Sequence, residues 1–251
     1  MGQHGKHRPL VNRPRTIPGA VLAAAWLAAA APPASAQQPG CRLALVLATD
    51  ISASVDARED ALQRGGLAAA LIAPEIRHAF LSPGRPVALA AYEWSGKRSP
   101  VMLLDWRMIR HEADLVAAAE TIAGSTRSRD DLPTAIGEAL GFGNTLLRSG
   151  PDCLLRTLDV SGDGINNHGY PPASAYRAFD FEEITVNGLV INAGDFEGEV
   201  SLVDYYRDEV LHGPGAFLEV AQGFEDFERA MRRKLLRELS GPQLSALPAR
   251  P

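Results

Sequence analysis

The stretch LALVLATDISASVD, Leu43 to Asp56, decides the fold. It begins with seven mostly apolar residues, a short run of the kind that forms a buried strand. Three short oxygen-bearing side chains then occupy every second position: Asp50, Ser52 and Ser54. Alternate side chains of an extended segment point the same way, so we expect these three to converge above the carboxyl end of a strand. One carboxylate and two hydroxyls form a partial oxygen cage for a hard cation.

Similar apolar runs recur along the chain and alternate with helical periodicity. The runs are PVALAAY, VMLLDW, LLRTLDV, TVNGLVIN and AFLEVA. Helical spacing is clearest at 56–72, 112–122, 134–147, 173–183, 202–211 and 224–239. This alternation predicts an α/β, three-layer, doubly wound fold with a six-stranded, mostly parallel sheet. Between PVALAAY and VMLLDW a short loop leaves no room for a helix, which predicts one antiparallel edge strand.

Residues 1–36 are predicted to be a signal peptide. A basic start without acidic residues leads into the apolar run AVLAAAWLAAAA and a small-x-small signal, ASAQ, with cleavage after Ala36. A membrane anchor is the alternative, but this run is shorter than the roughly 20 residues that a spanning helix needs. We therefore predict one domain over residues 37–240, a loose tail at 241–251, and a periplasmic or secreted protein without stable membrane insertion after cleavage.

Charge argues against a nucleic-acid partner. Four of the 25 basic residues lie in the leader, which leaves 21 basic against 30 acidic side chains. Such a surface repels nucleic-acid phosphates and anionic lipid.

The chain has two cysteines, at similar distances from two polar strand exits. Cys41 lies nine residues before Asp50, and Cys153 lies ten residues before Asp163. An exported chain makes a disulfide the first interpretation, and two unpaired buried thiols are the alternative. If the two strands lie side by side and parallel, both sulfurs lie at the same edge of the sheet.

Two further loops supply oxygen side chains. LPTAIGEAL places Thr134 at a helix start, and LDVSGDGINN places Asp163 at a strand end, where Gly164 turns the chain away. Helix capping is the competing interpretation, for Thr134 as an N-cap and for the serines of the first loop beside the capping box DARE, 56–59. Three such loops in one chain favour a metal site over coincidence.

These loops resemble the metal-ion-dependent adhesion site (MIDAS) of the von Willebrand factor A (VWA) domain family. DISAS matches the first element, D-x-S-x-S, while TAIGEAL and VSGDG are similar to the second and third. The segments DVSGDGINN, EWSG and DYYRDEVLHGPGAF resemble a bacterial exported group known only as a domain of unknown function, DUF1194. Family architecture also places the first and fourth strands side by side, which the disulfide requires.

The resemblance implies a ligand set, a cation and a kind of partner. The implied metal ligands are Asp50, Ser52, Ser54, Thr134 and Asp163. Mg²⁺ is the expected cation, with Mn²⁺ or Ca²⁺ as alternatives. A protein partner is expected to offer an Asp or Glu carboxylate to the ion, so the implied function is metal-dependent protein binding, with no catalytic residue.

Other functions and residues stay open from the sequence. The same cation in a metal-dependent hydrolase, or a scaffold with a vestigial site, are the alternatives. Candidate rim residues for a partner are Trp94, Asn166, His168 and Asp195, although Trp94 alternatively packs inside the domain. Asp159, deep in a central strand, is expected to be hydrogen-bonded beneath the metal site.

Overall fold

The computed structural model describes residues 1–2, 40–82, 84–192 and 196–240. Contacts divide the chain into Met1–Gln37 and Gln38–Pro251, and the fold belongs to the second unit. Nearly all of the predicted signal peptide, the predicted tail at 241–251, and Asp195 lie outside the described residues.

Six strands form one sheet in the order β3-β2-β1-β4-β5-β6. They are β1 (Cys41–Asp50), β2 (Val87–Trp94), β3 (Val101–Ile109), β4 (Cys153–Gly162), β5 (Ile184–Ile191) and β6 (Leu218–Ala221). All neighbours are parallel except β2 and β3, which pair antiparallel at the edge. The predicted fold class is confirmed. Strand order reverses between β1 and β4, which is where open α/β sheets bind ligands.

Seven helices cover the sheet in the described part of the chain. They are α1 (Ala57–Ile72), α2 (Pro74–Phe80), α3 (Glu112–Ala123), α4 (Ile136–Ser149), α5 (Pro172–Ala178), α6 (Phe196–Tyr205) and α7 (Phe227–Ser240). A π-helical turn, Tyr206–Val210, continues α6, and a 3₁₀ turn, Phe224–Asp226, precedes α7. No described helix is long and apolar enough to cross a membrane.

Alternate residues of β1 supply the two halves of the core. The larger side chains Leu43, Leu45 and Leu47 pack with α1, α2, α3 and α7 on one face of the sheet. Ala44 and Ala48 face the other side with α4, α5 and the π-helical turn. Because both faces are covered, β1 reads as a continuous apolar run instead of an alternating one.

Local structure differs from the predicted segments in four main places, one of which is that α6 begins at Phe196 and not at residue 202. A separate helix, α2, begins at Pro74, a residue whose fixed φ favours the first helical turn. Helix α5 ends at Ala178, not at residue 183, because Phe179 is extended and the chain turns to bury Phe181. Strand β1 ends at Asp50, so the two serines that follow lie in a turn and not on an extended strand.

The two cysteines form a disulfide at the amino ends of the central strands. Cys41 and Cys153 are direct partners in the β1 and β4 register, with Cα atoms 4.5 Å apart. The bridge closes a loop with a sequence separation of 112 residues. The predicted pairing is confirmed, and the alternative of free thiols is wrong.

Replacing both Cys41 and Cys153 with Ser is expected to lower the free energy of unfolding by about 4–5 kcal/mol, the loop-closure entropy of so long a loop. Urea unfolding of the oxidised protein and the variant measures this difference. Dithiothreitol should destabilise the wild type by a similar amount and leave the double variant unchanged. A loss below about 1 kcal/mol would show that the bridge constrains the unfolded chain little.

Four buried polar side chains join α7 to the central strands. Lys234, at 0% exposure, places its Nζ 2.7 Å from Asp159 Oδ1 and 2.8 Å from Glu238 Oε1. Asn187 of β5 donates to Glu238 Oε1 at 2.8 Å and accepts from the amide of Phe217 at 3.0 Å. Asp159 therefore pairs with the last helix, which corrects the expectation that it lies beneath the metal site.

One ammonium faces two carboxylates in this cluster, so their protonation differs from that of exposed groups. Burial raises the pKa of Asp159 to about 7, the ammonium of Lys234 opposes the rise, and Glu238 adds to it. The two carboxylates raise the pKa of Lys234 despite its burial. Folded Asp159 keeps a proton that the unfolded chain releases near its ordinary value, so the stability from this group is lost as pH rises from about 4 to about 7.

Replacing Lys234 with Met is expected to cost about 3–5 kcal/mol of unfolding free energy, because it leaves two buried carboxylates without a cation. Asp159→Asn is the matched variant, since it keeps the shape and the Lys234–Glu238 pair. Its stability should rise relative to the wild type between about pH 4 and pH 8. Urea unfolding across this range tests both, and a cost of Lys234→Met near zero at pH 8 would contradict the assignment.

Candidate metal centre

The predicted site residues meet at the carboxyl ends of β1 and β4, where the strand order reverses. Asp50 ends β1, Asp163 directly follows β4, and Thr134 lies just before α4. Asp50, Ser52 and Thr134 are buried, Asp163 is partly exposed, and Ser54 is exposed. The cluster therefore runs from a closed end at Asp50 to an open end at Ser54.

The turn after β1 is built around the Asp50 carboxylate. Asp50 Oδ1 accepts the backbone N–H of Ser52 at 2.7 Å, a short local bond typical of Asp in turns. The amides of Ile51 and Ala53 donate to carbonyl oxygens of Trp94 and Leu132, at 2.8 Å each. These bonds fix the turn to the neighbouring loops, so the two serine hydroxyls face the other two loops.

The oxygen side chains of the three loops form one hydrogen-bonded chain. Thr134 Oγ1 donates to Ser52 Oγ at 3.2 Å, and the Ser52 and Ser54 hydroxyl oxygens are 3.1 Å apart. Ser54 Oγ donates to Asp163 Oδ1 at 2.8 Å. The structure thus brings together all five residues predicted from the sequence.

Helix capping, the competing interpretation, is assigned to other residues. Asp56 caps α1: its Oδ1 accepts the Glu59 amide at 2.8 Å, and Glu59 Oε2 accepts the Asp56 amide at 2.7 Å. The N-cap position of α4 is Ala135, without a side-chain capping bond. The hydroxyls of Ser52, Ser54 and Thr134 therefore do not cap the helices α1 and α4.

Two asparagines of the third loop hold the start of α4. The side-chain Oδ1 of Asn167 accepts the backbone N–H of Thr134 at 2.9 Å. The backbone N–H of Asn167 donates to the carbonyl oxygen of Thr134 at 3.0 Å. Asn166 Oδ1 accepts the Gly137 amide at 3.1 Å, a helix N-terminal amide that would otherwise lack a partner. Asn167 was not predicted as a site residue, although a pair of asparagines after Gly164 is a signal for side-chain hydrogen bonds within a turn.

The loop before Thr134 is held by a second group of residues that the sequence analysis missed. Arg127 Nη2 donates to the carbonyl oxygens of Ile51 and Ser52, at 2.9 Å each. Glu93 is wholly buried at the end of β2. Its carboxylate accepts a hydrogen bond from the backbone amide of Ser128 and forms an ion pair with Arg64. These contacts join the ends of β1 and β2 to the loop, so the position of the first turn depends on side chains distant in sequence.

The electrostatics of the cluster favour a cation. Burial raises the pKa of Asp50 well above its usual range, the charge of Asp163 raises it further, and the Ser52 amide opposes. Burial also raises the pKa of Asp163, against the hydrogen bond from Ser54. Asp50 Oδ2 is buried and has no hydrogen-bond partner among the residues that the structure describes. The charge of Arg127 offsets both pKa rises only in part. Two carboxylates and one unpartnered oxygen remain unfavourable in this environment unless a further positive charge joins them.

The donor set fits a small, hard divalent cation. Ligand oxygens about 2.1 Å from an octahedral Mg²⁺ lie about 3 Å from one another. The neighbouring oxygens here are 2.8 to 3.2 Å apart. Within the described part of the chain, no group of three or more His, Cys, Asp or Glu side chains forms a metal site. A cation held here would therefore rely on hydroxyls as well as carboxylates.

The candidate rim residues differ in exposure. Trp94 is 1% exposed and packs in the core on the α4 side, so its assignment to a binding rim is wrong. His168 is exposed beside the site, and its Nδ1 accepts the Lys97 amide at 3.3 Å. Asn166 is half-buried. Ile165, which the sequence analysis missed, is an apolar side chain with 48% exposure in the same loop.

The family described as "Protein of unknown function (DUF1194)" matches residues 40–243. The chain belongs to this family. The match includes all three loops of the site and confirms the narrower of the two resemblances found in the sequence. None of the curated proteins matches the chain.

Solved structures of VWA type share the fold. A von Willebrand factor type A protein from Catenulispora acidiphila has a TM-score of 0.56 at 14% identity, over 79% of this chain and 43% of that one. Proximal thread matrix protein 1 from the mussel byssus, with a zinc-occupied MIDAS motif, has 0.53 at 16%, over 80% and 48%. An aerotolerance-related membrane protein from Bacteroides fragilis has 0.52 at 16%, over 77% and 98%. The chain spans about half or less of the first structures it matches.

Proposed function

We propose that this chain is a metal-dependent protein-binding domain. It holds one divalent cation, Mg²⁺ in the first instance, with Ser52 and Ser54 as hydroxyl ligands and with Asp50, Thr134 and Asp163 bound directly or through water. A carboxylate from a partner's Asp or Glu completes the coordination. The observation that carries the proposal is a single cluster at the rim of the sheet, in which four of these side chains are hydrogen-bonded in a chain and the fifth, Asp50, accepts the backbone amide of Ser52.

The chemistry of the donors supports capture of an outside acceptor. Two carboxylates and three neutral hydroxyls neutralise a divalent ion without the excess negative charge of an all-carboxylate cage. Such an ion stays electrophilic and attracts a further anionic oxygen. Ser54 and Asp163 lie at the accessible end of the cluster, so an approaching carboxylate reaches the site from that side.

The surroundings of the open end support a protein partner. Ile165 presents an apolar surface, and His168 lies exposed in the same loop. Apolar side chains are typical of the centre of a protein interface, and polar side chains are typical of its rim. The mussel protein with zinc in its MIDAS motif shows that this fold can hold a divalent metal at such a motif, which supports the same use here.

We also propose that the domain works outside the cytoplasm. A signal peptide at residues 1–36 would be removed after Ala36, which leaves a VWA-type domain at 37–240 and a tail at 241–251. The Cys41–Cys153 disulfide supports this placement, because such bonds persist in oxidising compartments. The acidic excess of the chain supports a protein partner over nucleic acid.

Metal binding is tested by calorimetric titration of the purified protein with Mg²⁺ and with Mn²⁺. We expect saturable binding, and a rise in the melting temperature with metal concentration, because an ion bound only by the folded state stabilises it. Asp50→Ala should abolish both effects. Asp131→Asn, which removes an exposed carboxylate of the loop before Thr134, is the control and should bind as the wild type does. Equal behaviour of Asp50→Ala and the wild type would refute the site.

Carboxylate capture is tested with labelled poly-L-glutamate as a probe. Fluorescence anisotropy should rise on adding the protein with Mg²⁺ and stay flat with EDTA or with Asp50→Ala. A basic surface alone would bind the probe with or without metal, so metal-independent binding would contradict the proposal. A screen for phosphatase and esterase turnover separates the enzymatic alternative: metal-dependent turnover lost in Asp50→Ala would favour a hydrolase.

A further inference from the structure

A buried tyrosine hydroxyl lies beside the candidate metal centre and has no assigned role. Tyr206 is 0% exposed, and its Oη has no hydrogen-bond partner among the described residues. The residue belongs to DYYRDEV, far from the three loops in sequence and outside the adhesion-site motif. A buried hydroxyl without a partner is unfavourable, so its retention calls for a reason.

The hydroxyl borders the same point as the unpartnered oxygen of the site. At Gly162, the last residue of β4, an added Cβ would lie 2.6 Å from Tyr206 Oη and 2.9 Å from Asp50 Oδ2. Both oxygens therefore adjoin one small space that only glycine leaves free. Asp50 Oδ2 also lacks a partner, so two unpartnered polar atoms, one of them a donor, border this space.

The backbone holds Tyr206 in this place through a π-helical turn. The amide of Leu211 donates to the Tyr206 carbonyl at 3.0 Å, a bond one residue longer than in an α-helix. The hydroxyl of Tyr176 donates to the carbonyl of Val210, the last residue of the turn. Single π-helical turns are frequent at functional sites.

We propose that Tyr206 is a positioning residue of the metal centre. When the cation is bound, its hydroxyl donates to Asp50 Oδ2 through one water, while the Ser52 amide holds Oδ1. The carboxylate is then fixed from both sides in the orientation that the cation needs. This inference rests on the proposed metal binding and adds a member to the site that the motif does not contain.

A phenol suits this role better than a cationic donor. Tyr206 is a neutral donor, so it can hydrogen-bond to the Asp50 carboxylate without cancelling the negative charge that attracts the ion. Groups that hydrogen-bond a metal ligand orient it, and their removal typically lowers metal affinity 10- to 100-fold. A phenol that only fills space would have no effect on affinity when its hydroxyl is removed.

The test is Tyr206→Phe, which keeps the ring and removes only the hydroxyl. Calorimetric titration with Mg²⁺ and Mn²⁺ should give a Kd about 10- to 100-fold higher than in the wild type. The melting temperature in EDTA should stay equal or rise, because the variant loses a buried hydroxyl that has no partner. Weaker metal binding by an equally stable protein is a combination that a purely structural role does not produce.

Tyr176→Phe is the matched control. It also removes a largely buried phenol hydroxyl near the π-helical turn, but this hydroxyl donates to Val210 and not toward Asp50. We expect a lower melting temperature and a Kd within about twofold of the wild type, well below the change expected when a metal ligand loses its hydrogen-bond donor.

The outcomes separate the two proposals. Wild-type affinity in Tyr206→Phe would overturn the role of Tyr206 and leave the metal centre intact. Absence of saturable binding in the wild type would overturn both. If Tyr206→Phe does not fold, the near-ultraviolet difference spectrum of the wild type on adding Mg²⁺ decides. A tyrosine signal that persists when each of the other four tyrosines is replaced by Phe in turn, in Tyr92→Phe, Tyr170→Phe, Tyr176→Phe and Tyr205→Phe, supports the role, and its absence overturns it.

Discussion

The parallel pairing of β1 with β4 is the constraint on which the rest of the structure depends. The register aligns Cys41 with Cys153 at one end and Thr49 with Ser161 at the other. The same alignment that permits the disulfide at the amino ends brings the loops after both strands to one point. Parallel strands with their carboxyl ends together, at a reversal of strand order, create a crevice that side chains from separate loops can share.

The buried charged side chains of this molecule differ in whether they are paired. The cluster around Lys234 lies on the face of the sheet that α7 covers. Its charges are paired with one another, because one ammonium lies between two carboxylates. Glu93, near the carboxyl edge of the sheet, is likewise paired with Arg64. Asp50 differs from both because one of its oxygens has no partner and its strongest neighbouring charge is another carboxylate. Buried charges that pair with one another need no further ion, whereas an unpaired one in a cleft is a candidate for ligand binding.

Much of the fold was predictable because it depends on local periodicity. The apolar runs identified all six strands, and the loop too short for a helix identified the antiparallel edge pair. The alternation of strands with helical segments predicted a parallel sheet with helices on both faces. One error concerned the end of a helix, because α5 is shorter than its periodic segment. Another was that α2 was not predicted, since a seven-residue helix gives little periodic signal. Where a helix stops depends on what the next segment packs against, and that information is not local.

The sequence by itself determined which oxygen side chains end the strands, the order of their loops and the capping of α1 by Asp56. Only the tertiary structure decided that Tyr206 adjoins Asp50, that Arg127 holds the first turn, and that Asp159 faces Lys234. It also decided that Trp94 is buried. The physical reason is that a motif or a period records the direction of a side chain relative to its own element. The neighbours of that side chain come from elements distant in sequence, and packing alone brings them together.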